Sequence, residues 1–351
     1  MTDYYNLKVK SVVRETEDAV TIHFKQPLFR KVKYKPGQFL TLLVPVNGET
    51  LRRSYSMCSA PTLDSTVAVT IKRVEGGKVS NHLNDHAKSG DVIQVMKPMG
   101  HFGTEASKNK KRHIVLFGAG SGITPLMSIL KSVLFYEPNS TVSLVYGNRN
   151  EQSIIFKEKL TEYKEKFGDR FNLVHVLSKP SENWGGYTGR IDETKVVNIL
   201  NLLPKFSEED TEYFLCGPHA LMDMVETTLK KTKVPEFKIH HESFVSTKDP
   251  KKVAEELKSF KTHKVKILID GEEHQLTVPP DKSILDVALD EGLDLPFSCQ
   301  SGLCTACRGL CKEGKVKMVE GDGLSHDEIK EGYILTCVGH PQTEDVVIEI
   351  G

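Results

Sequence analysis

The sequence predicts a multidomain α+β and α/β protein that contains, in order, an antiparallel β-barrel, a parallel α/β domain and a small C-terminal domain. Three observations support this prediction. Short strands with alternating apolar residues fill residues 1–105, and apolar strands then alternate with helical segments over residues 106–244. Five of the seven cysteines fall in the last 53 residues, in a region with strand and helix signals of its own.

Length and charge agree with several domains. A chain of 351 residues corresponds to two or three domains at roughly 100–200 residues each. The 47 basic and 47 acidic side chains cancel overall, which gives no electrostatic reason to expect nucleic acid or an anionic membrane. From Lys264 to the end there are 17 acidic and 8 basic residues (8 − 17 = −9), so the preceding part carries +9. An acidic tail domain therefore follows a basic body.

The expected location is the cytoplasm. No apolar run approaches the ~18 residues that a membrane span needs, so no membrane span is predicted. The first residues, MTDYYNLKVKSVV, are polar and typical of a strand, without the apolar stretch of a signal peptide.

The N-terminal strands are the runs LKVKSVV, AVTIHF, QFLTLLV, VAVTIK and DVIQVM. Glycine and proline separate them, as in Lys35-Pro36-Gly37, and such punctuation is typical of an antiparallel barrel or sandwich. In the middle of the chain HIVLFGAG is a buried strand that ends in a glycine turn, and PLMSILKSVLF has helical spacing. Strands such as TVSLVYG and EYFLCG follow, with helical segments between them, which predicts a parallel sheet.

A linker is predicted over 245–262, because these residues are polar, rich in lysine and poor in aromatic residues. A small domain over 263–351 begins with two strands joined by a glycine turn. The segment SILDVALDEG then predicts a short helix, with Asp281 or Ser283 as its N-cap.

The cysteine spacing is the most specific signal in the chain. Cys299, Cys304 and Cys307 form C-x4-C-x2-C, and Cys337 follows after 29 intervening residues. This is the plant-type spacing of a [2Fe–2S] cluster held by four thiolates. A zinc site would favour two C-x2-C pairs, and this chain has only one. A disulfide framework would need an oxidising compartment, whereas the expected location is the cytoplasm. Cys311 is either a spare buried thiol or, against the spacing, a further ligand.

Two N-terminal motifs indicate a flavin. In Arg53-Ser54-Tyr55-Ser56 the guanidinium can pair with a pyrophosphate, the tyrosine can stack on a flavin ring, and a hydroxyl can reach the ring edge. The tetrapeptide alone is a weak signal. About 20 residues later, Gly76-Gly77-Lys78-Val79-Ser80 precedes a helical segment, and backbone amides at such a helix start can bind phosphate.

A glycine-rich turn after the strand HIVLF indicates a nicotinamide nucleotide. The segment Gly118-Ala119-Gly120-Ser121-Gly122-Ile123-Thr124-Pro125 differs from the Rossmann pattern, since Ile123 stands where the third glycine would be. It precedes a helix, where phosphate binding is favourable. Cys216-Gly217-Pro218 ends another strand, at the sheet edge where such folds bind ligands. Arg149 can hold the 2′-phosphate of NADPH, and Arg190 is a weaker candidate.

Taken together, these motifs resemble the ferredoxin–NADP reductase superfamily, and in particular the oxygenase reductases with a C-terminal plant-type ferredoxin domain. The resemblance covers essentially the whole chain. It implies an FAD-binding β-barrel over 1–105, an NAD(P)H-binding domain over 106–244 and a β-grasp [2Fe–2S] domain over 263–351. The glycine turn would hold the NAD(P)H pyrophosphate. The residues that it implies in FAD binding are Arg53, Ser54, Tyr55, Ser56, Thr70, Lys72, Gly77, Val79, Ser80 and Phe244.

Other residue roles also rest on the resemblance. Ser56 would lie near flavin N5, Cys216 beside the nicotinamide C4, and Glu242 near the flavin. The NAD(P)H-binding set would be Gly118, Gly120, Ser121, Gly122, Thr124, Arg149, Gly217 and Pro218, and the metal ligands would be Cys299, Cys304, Cys307 and Cys337. The cofactors would be FAD, the cluster and NADPH, with NADH as an alternative.

The implied function is a flavoprotein oxidoreductase that passes electrons from NAD(P)H through FAD and the cluster to an oxygenase, expected to be of the non-haem iron type. Within the family the resemblance is greatest to reductases of phenylacetyl-CoA epoxidases. Steroid or aromatic-ring oxygenase reductases, a general diaphorase, and a redox-sensing or electron-channelling protein remain alternatives. The acidic tail domain would dock on the partner through Asp322, Asp327, Glu328 and Glu331.

Overall fold

A computed structural model describes residues 4–207, 210–244, 250–319, 321, 323–324 and 326–351 of the chain. The chain forms two compact units. The larger takes in residues 4–51 and 55–242, and the main part of the smaller is residues 243–351. Within the described ranges no helix is long and apolar enough to cross a bilayer.

The N-terminal domain is the predicted antiparallel barrel. Its elements are β1 (Tyr4–Thr16), β2 (Ala19–Lys25), β3 (Phe39–Val46), β4 (Glu49–Ser56), β5 (Thr66–Lys72), α1 (Lys78–His86) and β6 (Val92–Met96). The strand order is β4-β3-β6-β1-β2-β5. A bridge between Met57, just after β4, and Val69 in β5 brings the two edges of the sheet together. The curled sheet encloses a core of fully buried aliphatic residues such as Leu40, Leu42 and Ile71.

The central domain has the predicted parallel sheet. Its elements are β7 (His113–Ala119), α2 (Ile123–Tyr136), β8 (Thr141–Asn148), α3 (Lys157–Phe167), β9 (Phe171–Leu177), β10 (Tyr187–Thr188), α4 (Glu193–Leu202), β11 (Thr211–Cys216), α5 (His219–Lys231) and β12 (Ile239–Glu242). The order is β10-β9-β8-β7-β11-β12, with parallel pairing throughout. Strands β8, β9 and β10 are added in turn on one side of β7, and the chain then crosses to the other side, where β11 and β12 lie. Ligands bind at such a switch point, outside the carboxyl ends of the strands.

The barrel and the parallel sheet share a packed interface inside the larger unit. Ser128 on α2 donates a 2.6 Å hydrogen bond to the Ser59 carbonyl, and the Phe102 and Phe214 rings meet edge to face at 5.6 Å. The buried Arg112 guanidinium binds Glu137 at 2.8 Å and Glu212 at 2.9 Å. The same guanidinium donates hydrogen bonds to the Thr104 hydroxyl at 2.8 Å and to the Glu105 carbonyl at 3.2 Å, which holds the segment between the barrel and β7 in place.

The smaller unit is built on a mixed sheet with the order β14-β13-β19-β15-β17, and a two-stranded sheet β16-β18 lies beside it. The elements are α6 (Pro250–Leu257), β13 (His263–Ile269), β14 (Glu272–Val278), α7 (Ile284–Asp290), β15 (Arg308–Glu313), β16 (Val316–Met318), α8 (His326–Lys330), β17 (Tyr333–Leu335), β18 (Gly339–Pro341) and β19 (Val346–Ile350). Strands β13 and β19 are parallel, as expected of a β-grasp domain.

Two predictions for the smaller unit are resolved by local contacts. Ser283, rather than Asp281, is the N-cap of α7, and it forms a capping box with Asp286. Much of the predicted linker is structured, since Val253 and Leu257 on α6 pack against the domain core, while residues 245–249 lie outside the described part. A 2.5 Å ion pair between Glu256 and Lys317 further attaches α6 to the small domain.

Candidate functional site

Ser56 and Glu242 meet at the edge where the barrel faces the parallel sheet. Ser56 is the last residue of β4 and is buried, whereas Glu242 is the last residue of β12. The Ser56 hydroxyl donates a 2.9 Å hydrogen bond to Oε2 of Glu242. Strand register also places Cys216 beside Glu242 and beside Gly118 at the carboxyl ends of adjacent strands. The structure therefore brings together the three residues that the resemblance implies in catalysis.

Burial sets the protonation of this group. Desolvation raises the pKa of Glu242 to about 8, and the hydrogen bond from Ser56 opposes that rise only in part. Desolvation, with the nearby Glu242 charge as a smaller cause, raises the pKa of the Cys216 thiol well above its usual range. At neutral pH both side chains therefore carry protons. A protonated thiol is a poor nucleophile, so this arrangement favours binding and proton retention over covalent catalysis.

The glycine-rich turn after β7 is shaped by close backbone contacts. Gly120–Gly122 forms a single 3₁₀ turn that leads directly into α2. A Cβ atom at Gly122 would lie 1.9 Å from the Cys216 carbonyl oxygen, and one at Gly118 would lie 2.8 Å from Leu126. Gly120 has φ = +55°, in the left-handed region. Any side chain would therefore obstruct this turn, whose amides precede a helix, as a pyrophosphate site requires.

Neighbouring residues hold the turn in place. Thr124 donates a 3.0 Å hydrogen bond to the Ser121 carbonyl, and the Tyr146 hydroxyl donates one of 2.9 Å to the Gly120 carbonyl. The Lys72 ammonium approaches Gly120 and also lies 3.4 Å from Asp18. The sequence does not single out Tyr146, because within TVSLVYG it has the pattern of any buried strand residue.

The residues implied in FAD binding lie on β4, β5 and α1. Arg53 is exposed on β4, while Ser54 and Tyr55 are half-buried. Thr70 is buried on β5, where its hydroxyl lies 2.7 Å from that of Thr21 and donates to the Cys58 sulfur at 3.3 Å. The Thr70 hydroxyl is therefore engaged within the barrel wall.

Gly77 is the N-cap residue of α1, and no side chain caps this helix start. A Cβ atom at Gly77 would lie 2.6 Å from Oγ of Ser80, and Ser80 accepts a hydrogen bond from the Val74 amide. Val79, the second residue of α1, has a buried side chain. The first amides of α1 are thus left for an outside acceptor, which fits the expected pyrophosphate.

The remaining nucleotide candidates of the central domain follow the ends of strands in the parallel sheet. Arg149 is exposed directly after β8, and its carbonyl accepts a 2.7 Å hydrogen bond from the amide of Lys179, which is also exposed. A Cβ atom at Gly217 would lie 3.2 Å from the Ala119 amide nitrogen, and Pro218 is the N-cap of α5. Arg190 is exposed after β10. Phe244, which belongs to the smaller unit, is 42% exposed.

The four predicted cluster ligands lie together in the smaller unit. The thiol of Cys299 lies beside those of Cys304 and Cys337, and the thiol of Cys307 lies beside that of Cys337. The pKa of Cys299 falls because the neighbouring thiols stabilise its thiolate. Two neighbouring pairs of thiols, Cys299 with Cys304 and Cys307 with Cys337, fit two irons with two ligands each.

Glycines shape the cluster loop. A Cβ atom at Gly321 would lie 2.2 Å from the Gly302 carbonyl oxygen, and the Gly323 amide donates a 2.9 Å hydrogen bond to that same oxygen. Cys311 is on β15 and donates to the Glu313 carbonyl at 3.3 Å, in agreement with its interpretation as a spare thiol.

The prediction that Glu328 docks on the partner is wrong. Glu328 is only 8% exposed, and its carboxylate forms a 2.5 Å ion pair with Arg308. A carboxylate that is buried and paired with Arg308 stabilises its own domain and is not available to a partner. Asp327 is exposed, Glu331 is exposed, and Asp322 lies outside the described residues.

Comparison with protein families agrees with this layout. Three family models match in order: an oxidoreductase FAD-binding domain over residues 6–103, an oxidoreductase NAD-binding domain over 116–227, and a 2Fe-2S iron-sulfur cluster binding domain over 267–342. These matches confirm the cofactors FAD, a nicotinamide nucleotide and a [2Fe–2S] cluster.

Curated relatives extend over nearly the whole chain. One subunit of the 1,2-phenylacetyl-CoA epoxidase from Escherichia coli is 38% identical over 352 residues, covering 99% of this chain and 98% of the relative. The ferredoxin reductase component of 3-ketosteroid-9-alpha-monooxygenase from Rhodococcus rhodochrous is 37% identical and covers 98% and 96%. Phthalate dioxygenase reductase has the same fold, with a TM-score of 0.61, 24% identity, and coverage of 99% and 98%. The chain therefore belongs to the ferredoxin–NADP reductase superfamily, among the NAD(P)H-dependent oxygenase reductases that combine an FAD domain, a nicotinamide-nucleotide domain and a plant-type [2Fe–2S] domain.

Proposed function

We propose that this chain uses NADPH to reduce an oxygenase, through FAD bound by residues 1–105, a nucleotide site within 106–244 and a cluster in 263–351, with 245–262 as the connection. The FAD and the [2Fe–2S] cluster, when bound, convert a two-electron hydride donor into a source of single electrons. The protein provides positions, charges and protons. The thiols of Cys299, Cys304, Cys307 and Cys337 would hold the cluster irons.

The hydrogen bond from Ser56 to Glu242 is the observation that carries this proposal. It joins the barrel, which holds the flavin motif, to the sheet edge with the nucleotide motif. With a pKa of about 8, Glu242 is mostly protonated at neutral pH. Ser56 and Glu242 would thus hold a proton at the flavin edge without placing a full negative charge beside it. Cys216 would pack against the nicotinamide as a neutral thiol.

Preference for NADPH over NADH rests on Arg149. Its exposed guanidinium at the end of β8 lies where a nucleotide ribose is bound in related folds. A 2′-phosphate there could form charge-assisted hydrogen bonds that the hydroxyl of NADH cannot match. The adjacent Lys179 adds a second positive charge.

The proposed partner is a non-haem iron oxygenase. A phenylacetyl-CoA epoxidase is the first candidate, since a component of that enzyme is among the relatives. The steroid monooxygenase relatives make a steroid oxygenase the second candidate. The reducing cytosol keeps cysteine thiols free to bind iron, so we place this reaction in the cytoplasm.

The test is electron delivery by the purified chain to purified candidate oxygenases, measured as NADPH-dependent substrate turnover. We expect one oxygenase to be supported at low reductase concentration and its turnover to be lost in Cys337→Ser. Rapid reduction of ferricyanide or cytochrome c with no support of any oxygenase would instead indicate a general diaphorase. Slow reduction of every acceptor would indicate the redox-sensing alternative.

A further inference from the structure

The loop between β2 and β3 projects two large apolar side chains into solvent. Leu28 is 87% exposed and Phe29 is 102% exposed, so neither residue packs on the rest of the molecule. Among the described residues they are the only two consecutive large apolar side chains that are exposed. Exposed apolar groups rimmed by polar residues mark sites of protein or membrane interaction.

Hydrogen bonds at the base of the loop hold the tip, Leu28 and Phe29, in its protruding position. The side chain of Gln26 accepts a 3.0 Å hydrogen bond from the Val32 amide and donates one of 3.3 Å to the Val32 carbonyl, which closes the loop at its base. Val32 is buried, and the Tyr34 hydroxyl lies 2.6 Å from that of Ser59. Because both sides of the loop are anchored, Leu28 and Phe29 cannot easily fold back onto the barrel.

A local excess of positive charge surrounds the tip. Residues 19–48 contain no acidic residue and five basic ones, which are Lys25, Arg30, Lys31, Lys33 and Lys35, and all five are exposed. Lys35 pairs with Glu105 at 2.5 Å, and Arg30 lies over the Tyr5 ring at 4.8 Å. Lys25, Lys31 and Lys33 have no carboxylate within 4 Å in the part of the chain that the structure describes. This basic patch is not apparent from the net charge of the whole chain, which is zero.

We propose that the loop 25–35 is a membrane-surface anchor that binds an anionic phospholipid bilayer, with Leu28 and Phe29 entering the acyl boundary and the lysines contacting the phosphate headgroups. A protruding apolar pair needs a complementary pocket on a protein but none in a fluid bilayer. Four of the five cations are lysines, which are depleted in protein–protein interfaces and suit a diffuse layer of phosphates. Attachment would be reversible, because apolar area and electrostatic attraction act together in such binding.

The test uses the full-length holoprotein and sedimentation with vesicles of phosphatidylcholine, with or without phosphatidylglycerol. We expect partitioning onto the anionic vesicles to be at least about tenfold stronger and to fall steeply with salt. The double variant Leu28→Ser/Phe29→Ser should lower it by at least about tenfold. Lys31→Gln/Lys33→Gln should lower it by a similar factor on anionic vesicles and leave neutral ones unaffected.

Phe237 provides a matched control, since it is 75% exposed but lies on the central domain beside Glu236, and Phe237→Ser should bind vesicles like the wild type. NADPH-dependent ferricyanide reduction should be unchanged in the loop variants, which shows that they fold. A Phe29→Trp variant should shift its emission to shorter wavelength on anionic vesicles.

Equal sedimentation of the wild type and the loop variants would overturn the proposal. Absence of vesicle binding by the wild type would do the same. So would a loop-dependent association with a purified oxygenase, or with a second copy of the chain, in the absence of lipid binding, because the tip would then be a protein contact.

Discussion

The Ser56 hydroxyl donates a 2.9 Å hydrogen bond to the Glu242 carboxyl, although the two are 186 positions apart in the chain. The bond ties the end of β4 to the end of β12. It brings a hydroxyl, a protonated carboxyl and the Cys216 thiol to one sheet edge. The chemistry proposed for the chain depends on this edge.

Replacing Glu242 tests the proton at this edge. Glu242→Gln keeps the shape and the neutrality and still accepts from Ser56, but it cannot pass a proton to a flavin that has received a hydride. We expect the rate of flavin reduction by NADPH, followed by stopped-flow absorbance, to fall by at least about tenfold. Glu236→Gln, an exposed residue paired with Lys230, is the control and should react like the wild type. An unaltered rate in Glu242→Gln would remove Glu242 from the mechanism.

The raised pKa of Glu242 also predicts how stability depends on pH. The carboxyl titrates near 4.5 in the unfolded chain and near 8 in the folded protein, so the folded state binds the extra proton between these values. Stability should therefore decrease as pH rises through this window and level off above about 8. Between pH 6.5 and 8 the fall in Tm should be smaller in Glu242→Gln than in the wild type. Parallel profiles would contradict the shift.

Gly122→Ala should impair nucleotide binding. The new Cβ would lie 1.9 Å from the Cys216 carbonyl, which forces the turn or the end of β11 to move. We expect KM for NADPH to rise at least about tenfold and Tm to fall, because backbone atoms cannot yield as a flexible side chain can. Gly185→Ala, at a position with nothing within 4 Å, is the matched control and should alter neither value.

Arg149→Ala should reduce discrimination between the two nucleotides. A charge-assisted hydrogen bond to phosphate contributes about 1.5–3 kcal/mol, so kcat/KM for NADPH should drop by roughly 10–150-fold. The value for NADH should change little, since NADH has no 2′-phosphate. Lys231→Ala, which removes an exposed cation at the C-terminal end of α5 that is paired with Glu193, is the control and should alter neither value. Equal losses with both nucleotides would mean that Arg149 contacts another part of the coenzyme.

Cysteine replacement should separate flavin reduction from cluster reduction. Serine at position 299, 304, 307 or 337 should abolish the cluster absorbance and delivery to an oxygenase, while ferricyanide reduction at the flavin persists. Cys311→Ser should retain the cluster, because its thiol donates to Glu313 within its own strand. A cluster that survived replacement of one of the four would show that Cys311 or another group can replace that ligand.

Residues that must bind a metal cluster, and glycines at which a side chain would clash, are the easiest to recognise in a sequence. The spacing of Cys299, Cys304, Cys307 and Cys337 was readable because four thiolates must reach one cluster, and the glycines of 118–122 because side chains would clash there. Glu328 was misassigned because an acidic sequence does not reveal that Arg308 neutralises one carboxylate. Tyr146 and the exposure of Phe29 depend on tertiary packing, which a linear pattern does not contain.

An anaerobic titration with NADPH, followed by visible absorbance and electron paramagnetic resonance, tests the central claim most directly. That claim is that one chain carries electrons from the nucleotide through the flavin to the cluster. We predict bleaching of the flavin bands together with the signal of a reduced [2Fe–2S] cluster, and no such signal in Cys337→Ser. A bleached flavin beside a cluster that stays oxidised, or a colourless protein containing zinc, would contradict it.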